Sequence, residues 1–235
     1  SGTTAQFSNS TTLRGKVVEG SVINFTMFVT DTSNNVRQNS TLITIGLKCR
    51  KLDQPNFVYN MTSNLNSSDS CFYIQANSIT LDCKGFMINY SQSALGYAVN
   101  TSNYNYTQIK SCNIQQARTA SVVSLSHGLF FNHSYKNNIT NNTIITSGVN
   151  SWAIVISGYS SNNTIFNNKL NSTGFDGIGI RLTQNVSFNN IYNNNITTNA
   201  SYGIYLIDMV KNNSIYNNLI KAGGTTEIGI VGLNN

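Results

Sequence analysis

The stretch Ile139-Thr-Asn-Asn returns as Ile165-Phe-Asn-Asn, Ile191-Tyr-Asn-Asn and Ile215-Tyr-Asn-Asn, at intervals of 26, 26 and 24 residues, and it decides the fold of this 235-residue chain. A second series, Ile154-Val155-Ile156, Ile178-Gly179-Ile180, Ile204-Tyr205-Leu206 and Ile228-Gly229-Ile230, recurs at 24, 26 and 24. Each unit therefore holds two short segments in which apolar residues alternate, separated by Asn, Ser and Gly. That is strand chemistry at period two, not helix chemistry at 3.6. No unit offers ten residues of amphipathic helix, and Ile, Thr, Tyr and Asn dominate where a helical repeat needs Leu, Ala, Glu and Lys. Strands that recur once per unit stack in parallel on their counterparts about 4.8 Å apart, so the chain is expected to coil as a β-solenoid.

The alignment places Asn142, Asn168, Asn194 and Asn218 above one another. They are expected at coil corners, where Asn tolerates left-handed backbone angles and stacked amides bond along the ladder. Weaker coils run backwards from there. Cys71-Phe-Tyr-Ile leads into the segment from Asn77 to Ile88, Gly96-Tyr-Ala-Val99 into the segment from Thr107 to Ile114, and Val122-Val-Ser-Leu125 into Ile139. About six to seven coils result, over residues 49 to 235. Residues 1 to 48 read differently, as a few strands at Lys16–Val18, Val22–Thr30 and Thr41–Ile45, with a turn at Asp31-Thr-Ser-Asn-Asn35. These are too few for an independent sandwich and are expected to cap the solenoid or pair with a neighbouring subunit.

Composition excludes several classes. Only 9% of residues are charged, against about 25% in an ordinary domain, and 39 Asn, 28 Ser and 24 Thr replace them. With 40% apolar residues and a single proline the chain is not disordered. The net charge of +6 comes from few acids; only Lys48, Arg50 and Lys51 cluster, so no nucleic-acid footprint is expected. No apolar run approaches the roughly 18 residues of a membrane span, and the opening Ser-Gly-Thr-Thr reads as that of a mature or trimmed polypeptide.

The run Cys71-Phe-Tyr-Ile-Gln-Ala-Asn-Ser-Ile-Thr-Leu-Asp-Cys-Lys-Gly85, with the repeated Gly-Ile-Tyr-Leu and Asn-Asn-Ser-Ile-Tyr-Asn-Asn strings, resembles the right-handed parallel β-helix repeat proteins, especially cell-surface members from archaea. The resemblance covers about residues 49 to 235. It implies an all-β fold with one parallel β-helix, and functions from polysaccharide cleavage to surface scaffolding.

Glycosylation acceptors are abundant. Asn-x-Ser/Thr occurs at Asn9, Asn24, Asn39, Asn60, Asn66, Asn89, Asn100, Asn105, Asn132, Asn138, Asn141, Asn162, Asn171, Asn185, Asn195, Asn199 and Asn212, which is 17 sites. Chance at this composition gives roughly nine. Asn100, Asn105, Asn162, Asn185, Asn199 and Asn212 are expected at turns or pointing outward, where a glycan has room. The four cysteines lack a Cys-x-x-Cys, and only His127 and His133 accompany them, so zinc is not expected. Cys83 and Cys112 end equivalent strands of adjacent coils and should pair, which leaves Cys49 with Cys71; both imply an oxidising, extracellular setting.

Catalysis finds little material. The acids Glu19, Asp31, Asp53, Asp69, Asp82, Asp176, Asp208 and Glu227 are scattered, where glycoside hydrolysis needs two carboxylates about 5 to 10 Å apart. Asp176 and Asp208 with Arg181 form the one grouping that would revive a carbohydrate-cleaving or carbohydrate-binding reading. No cofactor or metal is expected beyond covalent N-linked glycans. The segment Glu227-Ile-Gly-Ile-Val-Gly-Leu-Asn-Asn235 reads as a fresh strand without a cap, which pairs with whatever strand comes next. The expectation is a secreted, heavily N-glycosylated structural protein that self-associates head to tail into a filament or sheath, with carbohydrate binding or cleavage as the alternative.

Overall fold

The computed structural model describes residues 22–30, 33–44, 46–117, 125–199, 201–224 and 226–231. It divides into two compact units, Ser1–Ile45 and Gly46–Asn235. The described residues are all β, with no helix among them. In the first unit, β1 (Val22–Thr30) and β2 (Val36–Thr44) pair antiparallel from Val22↔Thr44 to Thr30↔Val36, with Asn34 in the turn at φ 62°. The expected strand at Lys16–Val18 lies outside the described residues, as does Asn9.

The second unit is a parallel β-solenoid of about seven turns, built from three sheets. The first sheet stacks β3 (Arg50–Leu52), β6 (Phe72–Ile74), β9 (Val99–Ser102), β12 (Leu129–Asn132), β15 (Ile154–Ser157), β18 (Ile180–Thr183), β21 (Ile204–Ile207) and β24 (Ile228–Val231). The second stacks β4 (Val58–Asn60), β7 (Thr80–Asp82), β10 (Gln108–Lys110), β13 (Asn138–Thr140), β16 (Thr164–Phe166), β19 (Asn190–Tyr192) and β22 (Ser214–Tyr216). The third stacks β5 (Leu65–Asn66), β8 (Met87–Tyr90), β11 (Asn113–Gln116), β14 (Thr143–Thr146), β17 (Lys169–Ser172), β20 (Asn195–Thr198) and β23 (Leu219–Ala222).

Strands of two to four residues suffice because each turn contributes a few apolar side chains to a shared core. Ile109, Ile139, Ile165 and Ile191 are fully buried in one column; Ile114, Ile144, Leu170 and Ile196 are buried in another. Close approach also shapes one wall. A Cβ on Gly179 would lie 2.5 Å from Gly203 O, so the turn before β18 admits no side chain there.

Two details of register differ from the sequence reading. Ile154 pairs with Ile180, not Ile178, so the first sheet repeats at 26, 24 and 24 residues from Ile154 through Ile180 and Ile204 to Ile228. A two-residue slip keeps the same side chains inward, so alternation alone does not choose between them. The coil expected at Val122–Leu125 instead places its first-sheet strand at Leu129–Asn132; Leu125 is exposed, and 118–124 lie outside the described residues.

Candidate functional site

The asparagines divide their work at each corner. Asn141, Asn167, Asn193 and Asn217 take left-handed backbone angles, with φ between 53° and 55°. The residue after each turns inward instead. Asn142 Nδ2 and backbone N–H both donate to Asn168 Oδ1 at 3.0 Å, and Asn168 donates likewise to Asn194, and Asn194 to Asn218. Each amide in the middle of the ladder also donates back to a main-chain carbonyl, as Asn168 does to Ile139 O at 2.9 Å. The expectation that one residue serves both as left-handed corner and as ladder rung is corrected here: the two roles fall on neighbours. A second ladder, Asn137, Asn163, Asn189 and Asn213, repeats the same bonds at the other corner of the second sheet. Its signal was the asparagine two places before each repeating Ile.

Disulfides join Cys49 to Cys71 and Cys83 to Cys112, with Cα atoms 4.4 and 4.7 Å apart. Beside the second, Asp82 is buried and meets Lys84 Nζ at 2.9 Å and Lys110 Nζ at 3.5 Å. Burial raises the Asp82 pKa, but the hydrogen bonds from Lys84 and the Lys110 and Lys84 charges outweigh it and hold the carboxyl below its ordinary value.

Among the glycosylation acceptors, Asn66, Asn141, Asn162, Asn195, Asn199 and Asn212 are exposed. Asn60, Asn89, Asn100, Asn132, Asn138, Asn171 and Asn185 are half-buried. Asn105 departs from the outward placement expected of it: it is buried, and its Oδ1 accepts the Tyr135 N–H at 2.8 Å. Asn24 and Asn39 lie on β1 and β2.

The remaining grouping lies on the outer face of the first sheet. Phe130, Val155, Arg181 and Tyr205 occupy one cross-strand row on β12, β15, β18 and β21. Trp152, just before β15, lies between two partners. The His127 ring stacks on it at 4.5 Å and 7°, and the Arg181 guanidinium sits 4.1 Å from its ring centre. Arg181 is also 6.0 Å from the Tyr205 ring, which stacks on Tyr202 at 4.5 Å. The indole N–H donates to Asp176 O. Contacts of this kind are structural, and they restrict where the guanidinium can lie.

The Trp152 N–H donates to His127 Nδ1, which places the ring proton on Nε2. Burial, with the Arg181 charge nearby, pushes the imidazole down to about 3, so it is neutral near pH 7. A groove of about 400 Å³ opens beside the row, lined by Phe130, Asn132, Arg181, Gln184 and Asp208 among others. Burial lowers the Arg181 pKa against the raising influence of Tyr205, Asp208 and Asp176.

Asp176, in the turn before β18, and Asp208, directly after β21, both influence Arg181, but of the two only Asp208 lines the groove. Each is engaged by a hydroxyl of its neighbouring coil, Asp176 by Ser201 Oγ at 3.0 Å and Asp208 by Thr183 Oγ1 at 2.9 Å. His133 is exposed and lies 5.9 Å from the Tyr159 ring, outside the groove. Among the described residues no three His, Cys, Asp or Glu side chains gather to hold a metal, and no helix is long and apolar enough to cross a membrane. Compared with protein-family profiles, curated proteins and solved structures, the chain matches none of them.

Proposed function

We propose that this chain is a secreted, N-glycosylated structural protein of the cell surface, akin to the archaeal β-helix proteins that its sequence resembles, and that copies stack head to tail into a filament or sheath. The observation that carries the reading is the rung formed by β22, β23 and β24. There Leu219, Ile228, Ile230 and Val231 are exposed by 54, 38, 52 and 50%. With Leu206, Val210 and Ile215 nearby, two of them, Ile228 and Ile230, frame an open hollow of about 590 Å³. A rung of the same pitch laid on this one would bury that surface, and in the proposed filament the first coil of a second copy supplies it.

Two further observations support the setting. Disulfides persist in oxidising compartments, and six exposed acceptors give glycans room on a surface poor in charge. Electron microscopy of the native material tests the reading. Fibres are expected with an axial repeat of at least about 34 Å, the height of seven turns at parallel-strand spacing, from subunits heavier than the bare 25.7 kDa. The double variant Ile230→Lys, Val231→Lys should remain folded and monomeric. Monodisperse wild-type monomers at high concentration would sink the proposal.

A further inference from the structure

Arg181 holds a position that the stacked row alone does not account for. It is half-buried, yet among the described residues it makes no hydrogen bond and no ion pair, and its Nε is buried with no acceptor. An arginine taken out of water with unspent donors is costly unless something meets it. The guanidinium carbon lies 4.1 Å from the Trp152 ring centre and 6.0 Å from that of Tyr205, and the terminal Nη groups, which are not among the buried unpartnered atoms, are the donors available at the groove. The planar guanidinium fork suits a carboxylate, which accepts two parallel hydrogen bonds from it.

The other groups at the groove speak to what accompanies that carboxylate. Gln184 Oε1 is taken by Ser157 Oγ at 2.9 Å, leaving its amide N–H donors toward solvent. Asp208 uses one oxygen on Thr183 and keeps the other as an acceptor. A donor and an acceptor flanking a cation match the vicinal hydroxyls of a sugar. The Asp208 charge, with Asp176 also near Arg181, disfavours a dianionic phosphate relative to a single carboxylate. An acidic peptide is disfavoured too: β12, β15, β18 and β21 are each paired on both sides, so no free strand edge is present for a peptide backbone to join. The groove volume of about 400 Å³ falls in the ordinary range for small-ligand sites.

We propose that the groove over Arg181 binds a sugar ring bearing a single carboxylate, through the Arg181 fork, Gln184 and Asp208. The site stands independently of filament assembly. Calorimetric titration of the full, glycosylated protein with glucuronate and galacturonate trisaccharides tests it, against the carboxyl-reduced neutral trisaccharides and polyglutamate. The acidic sugars are expected to bind at least tenfold tighter than the neutral ones. Arg181→Gln should lose at least tenfold, and Arg181→Lys, which keeps the charge without the fork, several-fold. Gln184→Asn, at an exposed turn, gives a second reading if the arginine variants fail to fold, and should also weaken binding several-fold. Titration is repeated after enzymatic removal of N-linked sugars. Binding seen only then supports the site with the protein's own glycan as occupant, whereas binding seen before and after points to a free polysaccharide. Equal affinity for neutral sugars, equal affinity for polyglutamate, no binding of either acidic sugar at millimolar concentration both before and after removal of the N-linked sugars, or undiminished binding by folded Arg181→Gln and Gln184→Asn variants would each overturn it.

Discussion

At the scale of single residues, His127 is the side chain whose burial has the plainest consequence. Its folded pKa is about 3 against an ordinary 6.5, so the native state excludes a proton that the unfolded chain accepts. The stability this protects is fully present above pH 6.5 and drains as pH falls toward 3, because only the unfolded state gains the proton over that window. Between pH 7 and pH 4 the loss attributable to His127 is expected to be about 3 kcal/mol. His127→Phe keeps a ring against Trp152 while losing the acceptor for the Trp152 N–H, so it should be less stable at pH 7 yet flatter with pH. Denaturant titrations of both proteins at the two pH values check this, and parallel declines would refute it. Residue-scale legibility was uneven. Asn142, Asn168, Asn194 and Asn218 were readable because they follow the repeating Ile at a fixed offset. Their partners Asn137, Asn163, Asn189 and Asn213 carried an equally regular signal, masked by the many other asparagines nearby. The His127, Trp152 and Arg181 stack was not readable, since its members lie 25 and 29 residues apart and meet only through the coil register.

At the scale of elements, each strand is too short to stand by itself, and the first coils carry covalent help that the later ones lack. Cys83 directly after β7 and Cys112 after β10 close a sequence separation of 29 residues, and Cys49 and Cys71 close one of 22. The later corners at the equivalent places carry Asn142, Asn168 and Asn194 in continuous ladder. Indeed Cys112 N–H itself donates to Asn142 Oδ1 at 3.0 Å, so the bridge sits where the ladder begins. Replacing Cys83 and Cys112 together with Ser is expected to cost about 3 kcal/mol, mostly by freeing the unfolded chain. A melting curve should show it, and a double variant as stable as the parent would contradict it. The coil alignment made this pairing legible, since it needed only the order of strands. Strand register in the first sheet was less so. Ile178-Gly179-Ile180 offers two inward isoleucines where β18 uses the second, and an apolar pattern of period two is the same for both.

For the solenoid unit, stability is a sum over neighbouring turns, and charge plays a small part in it. The ion pairs of Asp82 with Lys84 and Lys110 are local to one corner. Hydrophobic columns and amide ladders carry the stack, and both are insensitive to salt compared with surface ion pairs. The 9% charge content thus reflects a core whose register is specified by uncharged amides. Because each middle rung makes the same bonds to the rung on either side, rungs are interchangeable parts, and the stack works as a ruler with one graduation per turn. Excision of residues 164–189 would join Asn163 to Asn190, bring Ile139 onto Ile191 and Ile154 onto Ile204, and leave both amide ladders unbroken by one step fewer. The shortened protein is expected to fold cooperatively and to be about 4.8 Å shorter along its axis by small-angle scattering. An excised chain that stays unfolded would show that the turns are not equivalent. Length in such a molecule changes in whole steps, through duplication or loss of a turn, without a new core having to be invented.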